Sequence, residues 1–304
     1  KYEFGIDENG EVILIDEIEH GLEPYRVTRL LHSLGSKLPE PNKQVFLTTH
    51  SPVVVRELSA GQLWRVRRSS DGSLDINELG SAPEDQATLR ACPEAFLAPK
   101  VIVCEGATEV GIMRGLDFYW GNNGLGSLAS QGVCLADGGG DNHVNRAVSF
   151  GKLGYKTALL KDSDKSLTEE KEESLTTAGV TQFKWEKDLS TEEQLFKAMP
   201  DIALEKLLKI AIEYKGGDAV EANIKNIEPT YSLVNYRKGH TFSPDERIVI
   251  GKAAKDGAWF KMIDPAEKVG REIVGPYYES SIDPLPRIIK ELVEWIFGGE
   301  DETV

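Results

Sequence analysis

Cysteine is scarce in this chain of 304 residues: Cys92, Cys104 and Cys134 are all there is. Three scattered thiols exclude a disulfide framework and a thiolate zinc site. Cys104 and Cys134 fall inside apolar strands, so they read as small core residues. Long hydrophobic runs are missing as well. No apolar stretch approaches the roughly eighteen residues of a membrane span, and the N-terminus lacks a signal-peptide pattern. A cytoplasmic location and no membrane partner are therefore expected. Positive charge is in deficit, with 35 Lys and Arg against 50 Asp and Glu and a formal net charge of −15. That argues against tight non-specific binding of nucleic acid by the whole surface, because phosphate contacts need cations. It leaves room for a local basic patch, and for metal ions that offset acidic clusters. The chain also has no phosphate loop of the form Gly-x-x-x-x-Gly-Lys-Ser/Thr, no internal repeat and no low-complexity tract.

What remains is ordinary globular composition, 40% hydrophobic and 28% charged, in a chain long enough for two cores. Two acidic stretches stand out, each closing a short apolar run. One is Val101-Ile102-Val103-Cys104-Glu105-Gly106-Ala107-Thr108-Glu109. The other is Ala158-Leu159-Leu160-Lys161-Asp162-Ser163-Asp164. Apolar runs of this length bounded by Gly or acidic turns read as buried parallel strands. Carboxylates at the C-terminal ends of such strands meet in the crevice where open α/β sheets place their ligands. Clustered carboxylates repel one another unless a cation sits among them, and hard oxygen donors suit Mg²⁺ or Mn²⁺.

Glu105-Gly106 with Glu109 four residues on, followed in order by Asp162-x-Asp164, resembles the Toprim domain of topoisomerases, primases and some nucleases. The first ninety or so residues add a second resemblance. Glu11-Val12-Ile13-Leu14-Ile15-Asp16-Glu17 has the form of a Walker B strand, in which Asp16 would help hold Mg²⁺ and Glu17 would polarise a water. A turn, a helical pattern from Tyr25 to Leu34 and a strand Gln44–Thr49 lead to His50-Ser51-Pro52. This order resembles the back half of an ABC-type ATPase, with His50 as the switch histidine; His20 and His32 read as structural. Because the phosphate loop and the signature segment are missing, the chain is expected to start inside an ATPase domain. ATP is then expected to act only in a full-length protein, with Asp16 and Glu17 idle here. An ABC-type ATPase running into a Toprim domain resembles the OLD family of nucleases over nearly the whole chain.

The expected fold is α/β. Residues 1–95 form the C-terminal part of an ABC-type ATPase domain. Residues 96–304 form a Toprim domain with a parallel central sheet, flanking helices and a helical insertion at about 190–245. The polar stretch Ser69 to Pro93 reads as turn-rich, and Gly298 to Val304 should fray. The resemblance implies a DNA endonuclease or nickase that is a homo-oligomer when full length, with two Mg²⁺ or Mn²⁺ per site. Glu105, Asp162 and Asp164 are the firm catalytic and metal residues, and Glu109 is a further ligand. Asp137, closing the strand Gly132–Asp137, is a secondary one. The glycines after it, Gly138-Gly139-Gly140, read either as backbone brought close to a ligand or as a flexible turn. Thr108 reads as a helix cap.

Glu192 and Glu193 follow a fourth strand, Thr181–Glu186. Either completes the second metal site under the resemblance, or both cap a helix that starts at Ser190. A basic residue near the scissile phosphate would stabilise its charge. Lys261, in Trp259-Phe260-Lys261, is the first choice, Lys255 the reserve, and an ordinary solvated lysine the competing reading. The tyrosines lack the setting of a topoisomerase nucleophile, which points to water. Two rivals stay open: a primase or RNA-processing Toprim enzyme, and a non-catalytic nucleotide-sensing or assembly module.

Overall fold

The computed structural model describes residues 10–36, 42–69, 71–236 and 238–299. The chain divides into two compact units, 1–98 and 99–304; the sequence reading placed the division near residue 95. The fold is α/β, with parallel sheets flanked by helices.

In the first unit, β1 (Glu11–Ile15) and β2 (Lys43–Leu47) pair in parallel, joined through α1 (Pro24–Ser33). Pro24 suits the first turn of α1, where its missing N–H has no partner to lose. Val27 and Leu31 of α1 are buried with Ile18, Val54 and Leu58, the last two from α2 (Pro52–Glu57) and its end. Next comes an antiparallel hairpin, β3 (Trp64–Arg68) and β4 (Leu74–Glu78), then α3 (Pro83–Ala91). The polar stretch read as turns thus contains a strand and a helix. Asp71-Gly72 is the hairpin turn: Gly72 has φ 85°, and Asp71 accepts from the backbone and hydroxyl of Ser73. Val66 then lies opposite Ile76.

The second unit is built on a four-stranded parallel sheet. Its elements begin with β5 (Lys100–Cys104), α4 (Ala107–Asn122), β6 (Val133–Asp137), α5 (His143–Lys152), β7 (Lys156–Lys161), α6 (Glu169–Thr177) and β8 (Thr181–Lys184). The strand order is β6-β5-β7-β8. From β5 the chain moves first to one side and then to the other, so the crevice between the ends of β5 and β7 is the topological switch point. Val101 to Cys104 and Ala158 to Leu160 are fully buried, as befits central strands covered on both faces.

Helices fill the rest: α7 (Thr191–Ala198), α8 (Asp201–Lys215), α9 (Gly217–Ile227), α10 (Pro244–Asp256) and α11 (Ile263–Val269). A π-helical turn, Gly270–Val274, continues α11 into α12 (Gly275–Tyr277), and α13 (Leu285–Phe297) follows. Small residues fix how α11 lies on α4. A Cβ at Gly115 would collide with the backbone of Glu267 and Gly270, and one at Gly111 would sit 2.5 Å from the Cβ of Ala266. This crossing seats the N-terminus of α4 at the switch point. α13 buries Leu285, Ile288, Ile289, Leu292 and Ile296 at helical spacing. Of the end expected to fray, residues 300–304 lie outside the described residues.

Candidate functional site

Glu105 is the first residue past β5, and its N–H donates to the Leu160 carbonyl of β7. Its Oε2 accepts from the N–H of Asp162, at 3.1 Å. Pairing of the central strands therefore carries both residues into one crevice. Glu109 enters from α4. Its Oε2 accepts from the N–H of Gly106 at 3.1 Å, and its Oε1 accepts from the Thr191 hydroxyl at 2.6 Å. Glu109, not Thr108, therefore closes this helix start. Thr108 instead donates to the carbonyl of Phe260, tying the Trp259-Phe260-Lys261 segment to α4.

Asp162 and Asp164 hydrogen-bond each other through their side chains. Burial pushes the Asp162 carboxyl up, aided by that bond and by the charge of Glu105. Burial also acts on Asp164, but the bond from Asp162 and the Lys255 ammonium outweigh it and hold Asp164 below its usual range. Glu109, only 5% exposed, is pushed up to about 7 by burial, with Glu192 and Glu105 adding repulsion. Glu192, 2% exposed, is raised by burial as well, against the fields of Lys261 and Lys255.

The two glutamates of α7 part company. Glu193 makes a capping box with Ser190 and receives the Lys255 ammonium at 3.3 Å. Glu192 turns inward, and its Oε1 is buried with no hydrogen-bond partner. Lys255 also lies 3.0 Å from Asp164 Oδ2, so the reserve lysine is the one in contact with the carboxylates. Lys261 is exposed and makes no ion pair among the described residues, although its field reaches Glu192.

Asp137 is exposed, and its Oδ1 accepts from the N–H of Gly139 in its own loop. The three glycines have a packing explanation. Gly138 and Gly140 donate to the carbonyls of Cys104 and Glu105, and a Cβ on Gly138 would strike both that backbone and His143. They bring the loop against the strand end that carries Glu105.

Among the described residues, no group of three or more acidic, histidine or cysteine side chains already stands arranged to hold an ion. The carboxylates are held instead by amides, Thr191, Lys255 and one another. The donor set nevertheless fits a hard divalent cation: oxygen-only, excess negative charge, and a buried carboxylate oxygen on Glu192 without a partner. Glu105, Glu109, Asp162, Asp164 and Glu192 are the residues that would hold it.

In the first unit, Asp16 follows β1 and accepts from the Thr48 hydroxyl at 2.5 Å, while Thr48 Oγ1 accepts from the N–H of Glu17. Glu19, which sequence reading passed over, accepts from the Thr49 hydroxyl at 2.7 Å and the His50 N–H at 2.6 Å. Burial opposes the charge on Glu19, but these bonds prevail and hold its carboxyl below the usual range. Glu19 thereby fixes the approach of His50 to the end of β1.

Residues 6–56 match the model of a family described as "AAA domain, putative AbiEii toxin, Type IV TA system". The N-terminal segment is therefore similar to an AAA- or ABC-type ATPase. No curated protein matches the chain. No helix among the described residues is long and apolar enough to cross a membrane.

Proposed function

We propose that residues 99–304 are a Toprim-like, OLD-type metal-dependent phosphodiesterase that nicks or cleaves DNA. The observation that carries this reading is the buried oxygen of Glu192, unpartnered and within the field of Glu109, whose other acidic neighbour, Glu105, stands with Asp162 at the switch point of a parallel sheet. Carboxylates gathered in a dry crevice must be protonated or balanced by a cation, and a bound metal ion would supply the positive charge that Lys255 alone does not. Divalent ions bound here, two per site in this reading, would neutralise the phosphate and acidify the attacking water.

The chain's own residues have separable tasks. Glu105, Asp162 and Asp164 present oxygens from adjacent strand ends, and Glu109 and Glu192 present theirs from two helix starts. Lys255 balances Asp164 and Glu193, so it is occupied inside the cluster. Lys261, exposed at the rim and held by the Phe260–Thr108 bond, is left to meet a phosphate oxygen of the substrate. The Asp162 carboxyl, raised by burial, would have to be ionised to serve as a ligand. ATP hydrolysis is not proposed for a chain without a phosphate loop. Glu17, His50 and Asp16 are proposed to serve an ATP site only in company with such a loop.

A non-catalytic sensing or assembly module is the second reading, favoured by the net charge of −15. A primase or RNA-processing role fits poorly with the ATPase-like segment at residues 6–56. Incubation with supercoiled plasmid and Mg²⁺, Mn²⁺ or Ca²⁺ separates them: nicking supports the nuclease, and intact plasmid under every ion favours the module.

A further inference from the structure

We propose that Thr191 is a positioning residue for Glu109, and that Trp185 fixes Thr191 in that role. The inference rests on the metal-dependent reading above. The three side chains form a chain of hydrogen bonds with little access to water: Trp185 is 5% exposed, Thr191 1% and Glu109 5%. Trp185 Nε1–H donates to Thr191 Oγ1 at 2.6 Å, and Thr191 Oγ1–H donates to Glu109 Oε1 at 2.6 Å.

The direction of this chain follows from the donor inventory. An indole N–H can only donate, so Thr191 Oγ1 must accept from it. The hydroxyl has one proton, and it donates that proton to Glu109 when the carboxylate is ionised, the form that binds a cation. A carboxylate otherwise free to turn is thus clamped between a hydroxyl on Oε1 and the Gly106 N–H on Oε2. Both clamps leave lone pairs on the carboxylate oxygens for a cation. Groups behind a ligand that fix its orientation commonly govern affinity about 10–100-fold.

The placement also links the separate parts of the site. Thr191 is the first residue of α7 and immediately precedes Glu192, so one helical turn presents a carboxylate and orients another 82 residues away in sequence. The Trp185 carbonyl accepts from the Ser163 hydroxyl, and Ser163 N–H donates to Leu189. The turn that holds Trp185 therefore also holds the loop between Asp162 and Asp164. Glu109, Glu192 and the Asp-x-Asp loop are thus all tied to this one turn.

The test uses the full chain labelled with ¹⁵N-tryptophan, with the Trp185 indole signal assigned by its loss in Trp185→Phe. Without metal, Glu109→Gln must displace the Trp185 signal, because the two side chains are linked by hydrogen bonds through Thr191. Thr191→Val must displace it too, while Thr191→Ser keeps it near the wild-type position. In calorimetric titration with Mn²⁺ alone, Thr191→Val should bind about 10–100-fold more weakly and Thr191→Ser should recover most of the loss. An unmoved indole signal in Glu109→Gln, or wild-type Mn²⁺ affinity in Thr191→Val, overturns the proposal. If wild-type protein takes up no Mn²⁺, the metal-dependent reading fails, and the indole signal still decides whether Trp185, Thr191 and Glu109 act as a unit.

Discussion

Burial of Glu109 should make this protein lose stability as pH rises in the absence of metal. The carboxyl moves from 4.5 in the unfolded chain to about 7 in the fold, driven first by burial. Between those values the folded state binds more protons than the unfolded one, so stability falls with increasing pH. The contribution is fully present below about pH 4.5 and is lost as pH rises through about 7. A pKa unit corresponds to about 1.4 kcal/mol, so the shift is worth about 3 kcal/mol of lost stability by pH 8. Glu109→Gln removes the titration while keeping the shape. One of its two donors, Thr191 or Gly106, then faces an amide NH₂, a penalty that does not vary with pH. Urea denaturation in EDTA at intervals from pH 4.5 to 8 should show wild type declining relative to Glu109→Gln by about that amount. Mn²⁺ at pH 8 should restore wild type and leave the variant largely unchanged. Parallel pH profiles for the two proteins would refute the reasoning.

Three further outcomes follow from the same geometry. Mn²⁺ binding should release protons near pH 6–7, because the raised Asp162 and Glu109 carboxyls must ionise to bind it; calorimetry in buffers of different ionisation enthalpy measures the number, and zero release contradicts their being raised. Gly115→Ala should destabilise the protein by about 3 kcal/mol in urea, since the added methyl meets backbone of α11 and the following π turn with no flexible side chain to yield. Lys261→Met should cut plasmid nicking by about 100-fold without weakening Mn²⁺ binding, as expected for loss of one electrostatic donor to the phosphate. Lys255→Met should instead alter Mn²⁺ affinity, and a reversal of these two effects would exchange the lysines' roles.

Much of the α/β frame was legible in the sequence because its central strands are covered on both faces. Val101–Cys104 and Ala158–Leu160 are continuous apolar runs, and their acidic ends mark where each strand leaves the core. The helix α13 carries a local signal of its own, with Leu285, Ile288, Ile289, Leu292 and Ile296 at helical spacing. The hairpin at Trp64–Glu78 was not legible, because its strands are short and largely exposed and Ser-Asp-Gly-Ser resembles a linker; Asp-Gly between alternating residues was the signal to read. The division of labour between Glu192 and Glu193 depends on which side of α7 faces the sheet, and adjacent residues give no hint of that. Thr191, Trp185 and Glu19 went unnoticed for a different reason. Each acts through a hydrogen bond to a partner at least six residues away, and in the Thr191–Glu109 case 82 away. Lys255 outranked Lys261 as a carboxylate contact because α10 packs against α7, a tertiary fact with no local signature.

The central claim is that Glu192 and the two strand-end carboxylates form one metal-dependent hydrolytic centre. Its most direct test is nicking of supercoiled plasmid in Mn²⁺ by wild type, Asp162→Ala, Glu105→Ala and Glu192→Gln, each first shown to be folded by circular dichroism. The account predicts nicking by wild type and its loss in all three variants, Glu192→Gln included. Undiminished cleavage in Glu192→Gln or in both strand-end variants would contradict it.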